Sequence, residues 1–255
     1  MIPSVLIFKS KGVFHLNRNG TLTSLFVILT YIAIQVGGGF LASFFVFIAE
    51  YDAMTSLMIA NMISFIIGLI VILFIFRKQL KEERLNNPMS LGKILLWMII
   101  GFFLAYGGQM IAATIEIFVL GIEPGSENTE LIVELSEMNV WFLLLPALIG
   151  PILEELVFRK ALFGTLSKWI NLHFAAIISA LIFALAHFDF EHTLIYFVMG
   201  LVFTFLYVKT KRIIIPILAH MLMNFLVVLA QMFVDPEQLE NLQEQLSFIL
   251  LGGWF

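Results

Sequence analysis

Apolar residues along this chain fall into long runs, each about as long as a helix needs to cross a ~30 Å hydrocarbon layer, roughly 20 residues. Such runs lie at roughly 22–49, 53–76, 91–122, 139–167, 172–190, 193–208 and 213–234. The pattern predicts seven spans separated by short polar breaks: Glu50-Tyr51-Asp52, then 77–88, 123–137, 189–192 and 209–212. The fourth run is long and holds Pro146 and Pro151. Proline lacks the N–H that continues a helix, so a broken helix or two segments are expected there, and the count becomes about seven to eight spans. The fold class read from the pattern is all-α, a polytopic transmembrane helical bundle, with one integral-membrane domain over 1–255. The tail 247–255 is apolar but too short to span, which predicts an interfacial segment. No internal repeat is present.

Composition agrees: 61% of residues are hydrophobic, 13% are charged and the mean hydropathy is +1.02, far from a soluble domain. The chain has no cysteine, which excludes disulfides, a thiolate nucleophile and thiolate metal ligands. The charges decide orientation. An alternating thread through seven spans puts all 14 Lys and Arg residues toward one side, from Lys9, Lys11 and Arg18 to Lys209, Lys211 and Arg212. The positive-inside rule makes that side cytoplasmic, with the N-terminus inside. Glu50, Asp52, the acidic segment 123–137, Asp189, Glu191 and the acids from Asp235 onward fall on the other side. No basic face suited to nucleic acid is present. Apolar residues 1–8 precede the basic ones, the wrong order for a signal peptide. With the compact length, a bacterial inner (plasma) membrane is expected.

Candidate chemistry lies where polar residues interrupt the spans. Glu154 and Glu155 are adjacent inside the fourth run, and ionisable residues at membrane depth pair with one another or line a substrate or ion path. Glu155 and Arg159 are four apart, on one helical face, a spacing for an ion pair. Successive residues turn by ~100°, so Glu154 points elsewhere and is the carboxylate left free to act. Two more polar sets sit on other spans, His187 late in the fifth and His220 with Asn224, four apart, in the seventh. Each alone has a bland reading: a structural ion pair, an interfacial histidine beside Asp189 and His192, and packing glue between helices. His15, His173 and His192 lie at predicted span ends and read as interfacial. Gly37-Gly38-Gly39 and Gly107-Gly108 read as sites of close helix approach or bending, and the many phenylalanines as lipid-facing bulk and core.

In order and type these sets resemble the motifs of the CAAX protease and bacteriocin-processing (Abi) family of intramembrane endopeptidases. That family carries E-E-x3-R, F-x3-H and H-x3-N on separate helices. Here they read Glu154-Glu155-x3-Arg159, Phe183-x3-His187 and His220-x3-Asn224, over about 75 residues within a core at about 139–234. The resemblance implies peptide-bond hydrolysis of a peptide or protein substrate in or at the bilayer. Glu154 would be the general base, His187 would hold the attacking water, and His220 and Asn224 would stabilise the oxyanion. Glu155 with Arg159 would fix the geometry.

The family is described both as metalloproteases and as glutamate-type proteases. Glu154, His187 and His220 are the set that would hold Zn²⁺ or another divalent ion, although no H-E-x2-H run exists. Two other functions stand beside hydrolysis. One is a non-catalytic peptide-binding or bacteriocin-immunity protein, and the other a transporter with midplane Glu and His. Convergence of Glu154, His187, His220 and Asn224 on one cavity separates hydrolysis from scattered structural roles. Counting ~1.5 Å per residue from the nearest basic residue places His220 about 12 Å deep and Glu154 about 21 Å, an uneven site. Neither the face to which the site opens nor the oligomeric state is legible.

Overall fold

The computed structural model describes residues 18–123 and 126–233. The expectations for residues 1–8, Lys9, Lys11, His15, the acids from Asp235 onward and the tail 247–255 lie outside them.

Helices α1 (Arg18–Phe47), α2 (Ala53–Asn86) and α3 (Leu91–Phe118) follow the first three apolar runs. Asp52 starts α2 by accepting the Thr55 amide at 2.9 Å, an N-cap contact that holds its exposed carboxyl below the usual range. The second helix continues ten residues beyond the expected end at 76. Residues 77–86 are a helix and not a polar break: Lys, Glu, Gln, Arg and Leu propagate a helix well, and Pro88 then stops it.

The acidic segment 123–137 also departs from expectation. It contains α4 (Glu127–Met138), which buries Leu135 against Phe142 and Leu145 and exposes Glu134 and Glu137. One apolar face per turn is enough to seat such a helix.

The fourth run, Val140–Trp169, forms one irregular helical stretch long and apolar enough to cross a membrane. It begins as a 3₁₀ turn (Val140–Leu143), widens to π winding (Leu145–Ile149) and tightens into α5 (Gly150–Glu154). It then widens again (Glu155–Phe163) and ends in α6 (Gly164–Trp169). Pro146 and Pro151 remove two N–H donors, and the Gly150 N–H reaches back five residues to the Leu145 carbonyl. The chain closes with α7 (Leu172–Leu185), α8 (Thr193–Thr210) and α9 (Ile214–Phe233).

Five of these helices are long and apolar enough to cross a membrane, and the apolar segments Leu172–Leu185 and Ile214–Leu229 are shorter. No strand occurs among the described residues. The fold is thus an all-α membrane bundle, with Phe26, Phe40, Phe47, Phe74 and Phe103 among the large side chains facing outward. The tightest helix approaches fall where the sequence did not single out a glycine. A Cβ on Gly68 would clash with the Ile34 side chain, one on Gly101 would sit 2.7 Å from Leu206, and one on Gly200 2.8 Å from the Ala180 Cβ. Of the five glycines expected at close approaches, Gly38 and Gly108 meet a neighbour while Gly37, Gly39 and Gly107 face open space.

Contacts sort the helix ends into two groups. At the basic end, Glu83 of α2 accepts from Lys160, from the Tyr207 hydroxyl at 3.2 Å and from the Ile213 amide at 2.6 Å. Beside it Arg212 donates to the Asn87 carbonyl at 2.6 Å, and Lys168 reaches Thr21 at 3.1 Å. At the opposite end Ser126 donates to Asp189 at 2.7 Å, and Glu116 meets His192 at 2.9 Å. The site lies between the two groups.

Candidate active site

Glu154 is the last residue of α5, and the wide winding begins at Glu155. Their surroundings differ as the helical rotation requires. The Glu155 side chain is fully buried, with the Arg159 Nε 3.2 Å from one oxygen and His220 donating from Nδ1 to the other at 3.0 Å. Glu154 keeps 18% of its side-chain surface exposed and lines a cavity of about 710 Å³, a volume typical of small-ligand sites. Its Oε2 lies 3.8 Å from the His220 Nε2. His220 therefore stands between two carboxylates, held through Nδ1 by Glu155 and presenting Nε2 toward Glu154. A carboxylate placed behind an imidazole in this way fixes the tautomer and orientation of the ring.

Arg159 is 1% exposed, and its NH1 and NH2 have no hydrogen-bond partner among the described residues. Ring faces carry part of the stabilisation instead, since its guanidinium carbon lies 4.0 Å from the Phe183 centroid and 5.4 Å from that of Phe203. Phe203 in turn stacks on His220 at 4.4 Å. Phe183 is the aromatic hub, packing edge-on to Phe158 at 5.2 Å and to His187 at 4.6 Å.

The spacing between Phe183 and His187 has a backbone reason as well. His187 follows the C-terminus of α7, where carbonyls lack intrahelical donors, and its Nδ1 donates to the Phe183 carbonyl at 2.8 Å. Tyr196 of α8 stacks on the other side of the ring at 4.0 Å. Asn224 donates from Nδ2 to the Pro146 carbonyl at 3.0 Å, which ties α9 to the first wide turn and leaves one amide hydrogen for other use.

Glu154, His187, His220 and Asn224 all line the one cavity, while Glu155 and Arg159 stand behind it. The expected unevenness in depth is absent. Counting from Lys168 misplaced Glu154, because Lys168 lies farther along toward Thr21. Lys160 and the Ile213 amide share Glu83 as a partner, so they mark one level. The approach of the Glu154 Oε2 to the His220 Nε2 at 3.8 Å puts the two side chains at one level.

A metal is a different matter. His220 and His187 each commit Nδ1 to a protein partner and keep Nε2 open, but among the described residues no three His, Asp or Glu side chains converge to hold one ion. No step below is routed through a metal.

Three residues that the sequence reading passed over belong to the cavity. Glu116, a lone carboxylate in the third apolar run, is 1% exposed. His192, expected to be interfacial, is instead buried against it. Gln109 lies two helical turns before Glu116 on α3 and lines the cavity with it. The signal that could have found Glu116 was the one used for Glu154, a carboxylate at membrane depth.

Comparison with known proteins bears on the whole arrangement. Residues 136–226 match the family described as type II CAAX prenyl endopeptidase Rce1-like. YdiL of Bacillus subtilis (strain 168), named as a membrane peptidase, is 43% identical over 196 residues, covering 76% of this chain and 80% of YdiL. The membrane-embedded CAAX protease MroQ of Staphylococcus aureus (strain USA300) is 36% identical over 197 residues, covering 74% of this chain and 79% of MroQ. No solved structure matches. With the motif residues on three helices around one cavity and relatives of this identity along most of its length, the chain belongs to the family of CAAX protease-like membrane peptidases.

Proposed function

We propose that this protein hydrolyses peptide bonds of hydrophobic or membrane-associated peptides inside the bundle, with Glu154 as the general base. The observation that carries this reading is the inequality of the paired glutamates. One is buried and held by Arg159 and His220, and the other borders the cavity beside the free nitrogen of that same histidine. Glu154 takes a proton from a water held near His187 while the hydroxide oxygen bonds to the substrate carbonyl carbon. The oxyanion that forms accepts from Nε2 of His220, carrying its second proton, and from the remaining amide hydrogen of Asn224. Collapse breaks the C–N bond, and the proton on Glu154 passes to the leaving amine.

The test is cleavage of a quenched fluorescent peptide panel by the purified full-length protein, with and without EDTA. Turnover unaffected by EDTA is the expected outcome. Loss restored by Zn²⁺ would bring Glu154, His187 and His220 back as a ligand set, and binding without turnover would favour a peptide-sequestering or immunity role.

Access supplies a second part of the proposal. The cavity is lined by Gln35, Asn61, Glu116, Leu131, His192 and Val228, and the Glu116–His192 and Ser126–Asp189 contacts mark that as the end away from Lys160, Lys168 and Arg212. In a bacterial plasma membrane the positive-inside rule turns the basic end to the cytoplasm and the cavity mouth outward. The chain has no cysteine, so single cysteines report topology cleanly. Glu134→Cys on α4 is expected to react with a membrane-impermeant maleimide in intact cells, and Lys81→Cys only after permeabilisation. The reverse pattern would refute outward opening.

A further inference from the structure

Part of the cavity wall is built by α3 and the start of α8, and it carries polar groups that the hydrolytic scheme leaves unused. Gln109 and Glu116 are seven residues apart on one face of α3, about 10.5 Å along its axis at ~1.5 Å per residue, and both line the cavity. Both Glu116 oxygens are engaged. One accepts from the His192 Nδ1 at 2.9 Å, and the other accepts the Ile195 amide at 3.2 Å in the first turn of α8. Glu116 thus does for His192 what Glu155 does for His220: it fixes the ring through Nδ1 and leaves Nε2 as the nitrogen open to a ligand. Gln109 is different in kind. Its carboxamide oxygen is buried and has no donor among the described residues. A buried acceptor without a donor is costly inside an apolar bundle, and rotation of the carboxamide toward the cavity that Gln109 lines would let a hydrogen-bond donor arriving there relieve it.

We propose that Gln109 and His192, the latter positioned by Glu116, form a subsite that binds a substrate peptide through its backbone N–H groups. An extended chain advances ~3.3–3.6 Å per residue, so the length of α3 between Gln109 and Glu116 spans about three substrate residues. Both groups offer acceptors, and Glu116 and Glu154 border the same space. The segment it takes is therefore extended and free of Asp and Glu near the scissile bond. Glu116 is a positioning residue, whereas Gln109 and His192 touch the peptide. The assignment of the ligand as a substrate rests on the hydrolytic reading above.

Binding can be read apart from cleavage by using full-length Glu154→Gln protein and fluorescent peptides from the same panel, each also tested for cleavage by the wild type. Adding Gln109→Leu or His192→Phe is expected to weaken the Kd at least about fivefold, the order of one lost hydrogen bond. Gln109→Leu should leave the thermal midpoint unchanged or raised, because it removes an orphan acceptor. A merely structural glutamine would lower the midpoint and leave the Kd alone. A backbone ester scan, replacing one peptide N–H at a time by oxygen, supplies the specific test. One ester should weaken binding to the Glu154→Gln protein but have no further effect in Gln109→Leu. Peptides cleaved by the wild type, with the Kd unchanged in both variants and no ester coupled to Gln109, overturn the subsite and leave the hydrolase standing. A peptide bound with Gln109 dependence but never cleaved by the wild type supports the subsite and sinks the hydrolytic reading.

Discussion

Glu154→Gln is expected to lower kcat by about 10²–10⁴-fold, the range of a positioned general base, while leaving the folded protein intact. The side chain is partly exposed and borders open volume, so an isosteric amide removes the proton acceptor without creating a void or stranding a charge. Glu155→Gln is the contrasting variant. Its carboxylate is buried beside Arg159 and His220, and its loss should lower the thermal midpoint as well as turnover. Paired measurement of peptide turnover and thermal unfolding for the two variants separates the roles. Equal turnover in Glu154→Gln and wild type would remove Glu154 from the chemistry.

Arg159→Met should produce the largest loss of stability of any single change in the site, about 3–5 kcal/mol, as expected when one partner of a buried ion pair is deleted. Glu155 would keep its charge in a fully buried position with His220 as its remaining partner, and the Phe183 and Phe203 faces would lose the guanidinium that they flank. The double variant Glu155→Gln/Arg159→Met removes both charges and should recover part of that loss. Arg159→Lys should not rescue it, because an ammonium lacks the flat shape that stacks between rings. Thermal unfolding of the wild type and the four variants in the same detergent checks this, and strictly additive single losses would contradict the pairing.

Much of this was legible before any coordinates, for identifiable physical reasons. Run length against bilayer thickness locates the apolar helices among the described residues, since a membrane sets the scale of an apolar run. The four-residue spacing of Glu155 with Arg159 encodes a real contact, because helical rotation is local. What stayed hidden depends on neighbours far along the chain. Residues 77–86 look like a polar break until Glu83 is seen to hold Lys160, Tyr207 and Ile213. His192 looks interfacial until Glu116, 76 positions away, is found against it. The wide winding around Glu155 also has no signature that the two prolines alone supply. Depth was misjudged for the same reason, since charge counts assume that all basic residues sit at one level and Lys160 and Lys168 do not.

Glu83 has a further consequence, for how far this architecture can be cut or exchanged. The family match spans 136–226 and contains every motif residue, yet it encloses Lys160, which is 5% exposed and finds its carboxylate on α2, outside that stretch. The matched segment is therefore not a portable cassette. Grafted behind a different pair of leading helices it would carry a stranded ammonium and an uncapped start to α9. Drift in the first half of the chain is free almost everywhere that faces lipid, but at position 83 the second half has a standing claim on it.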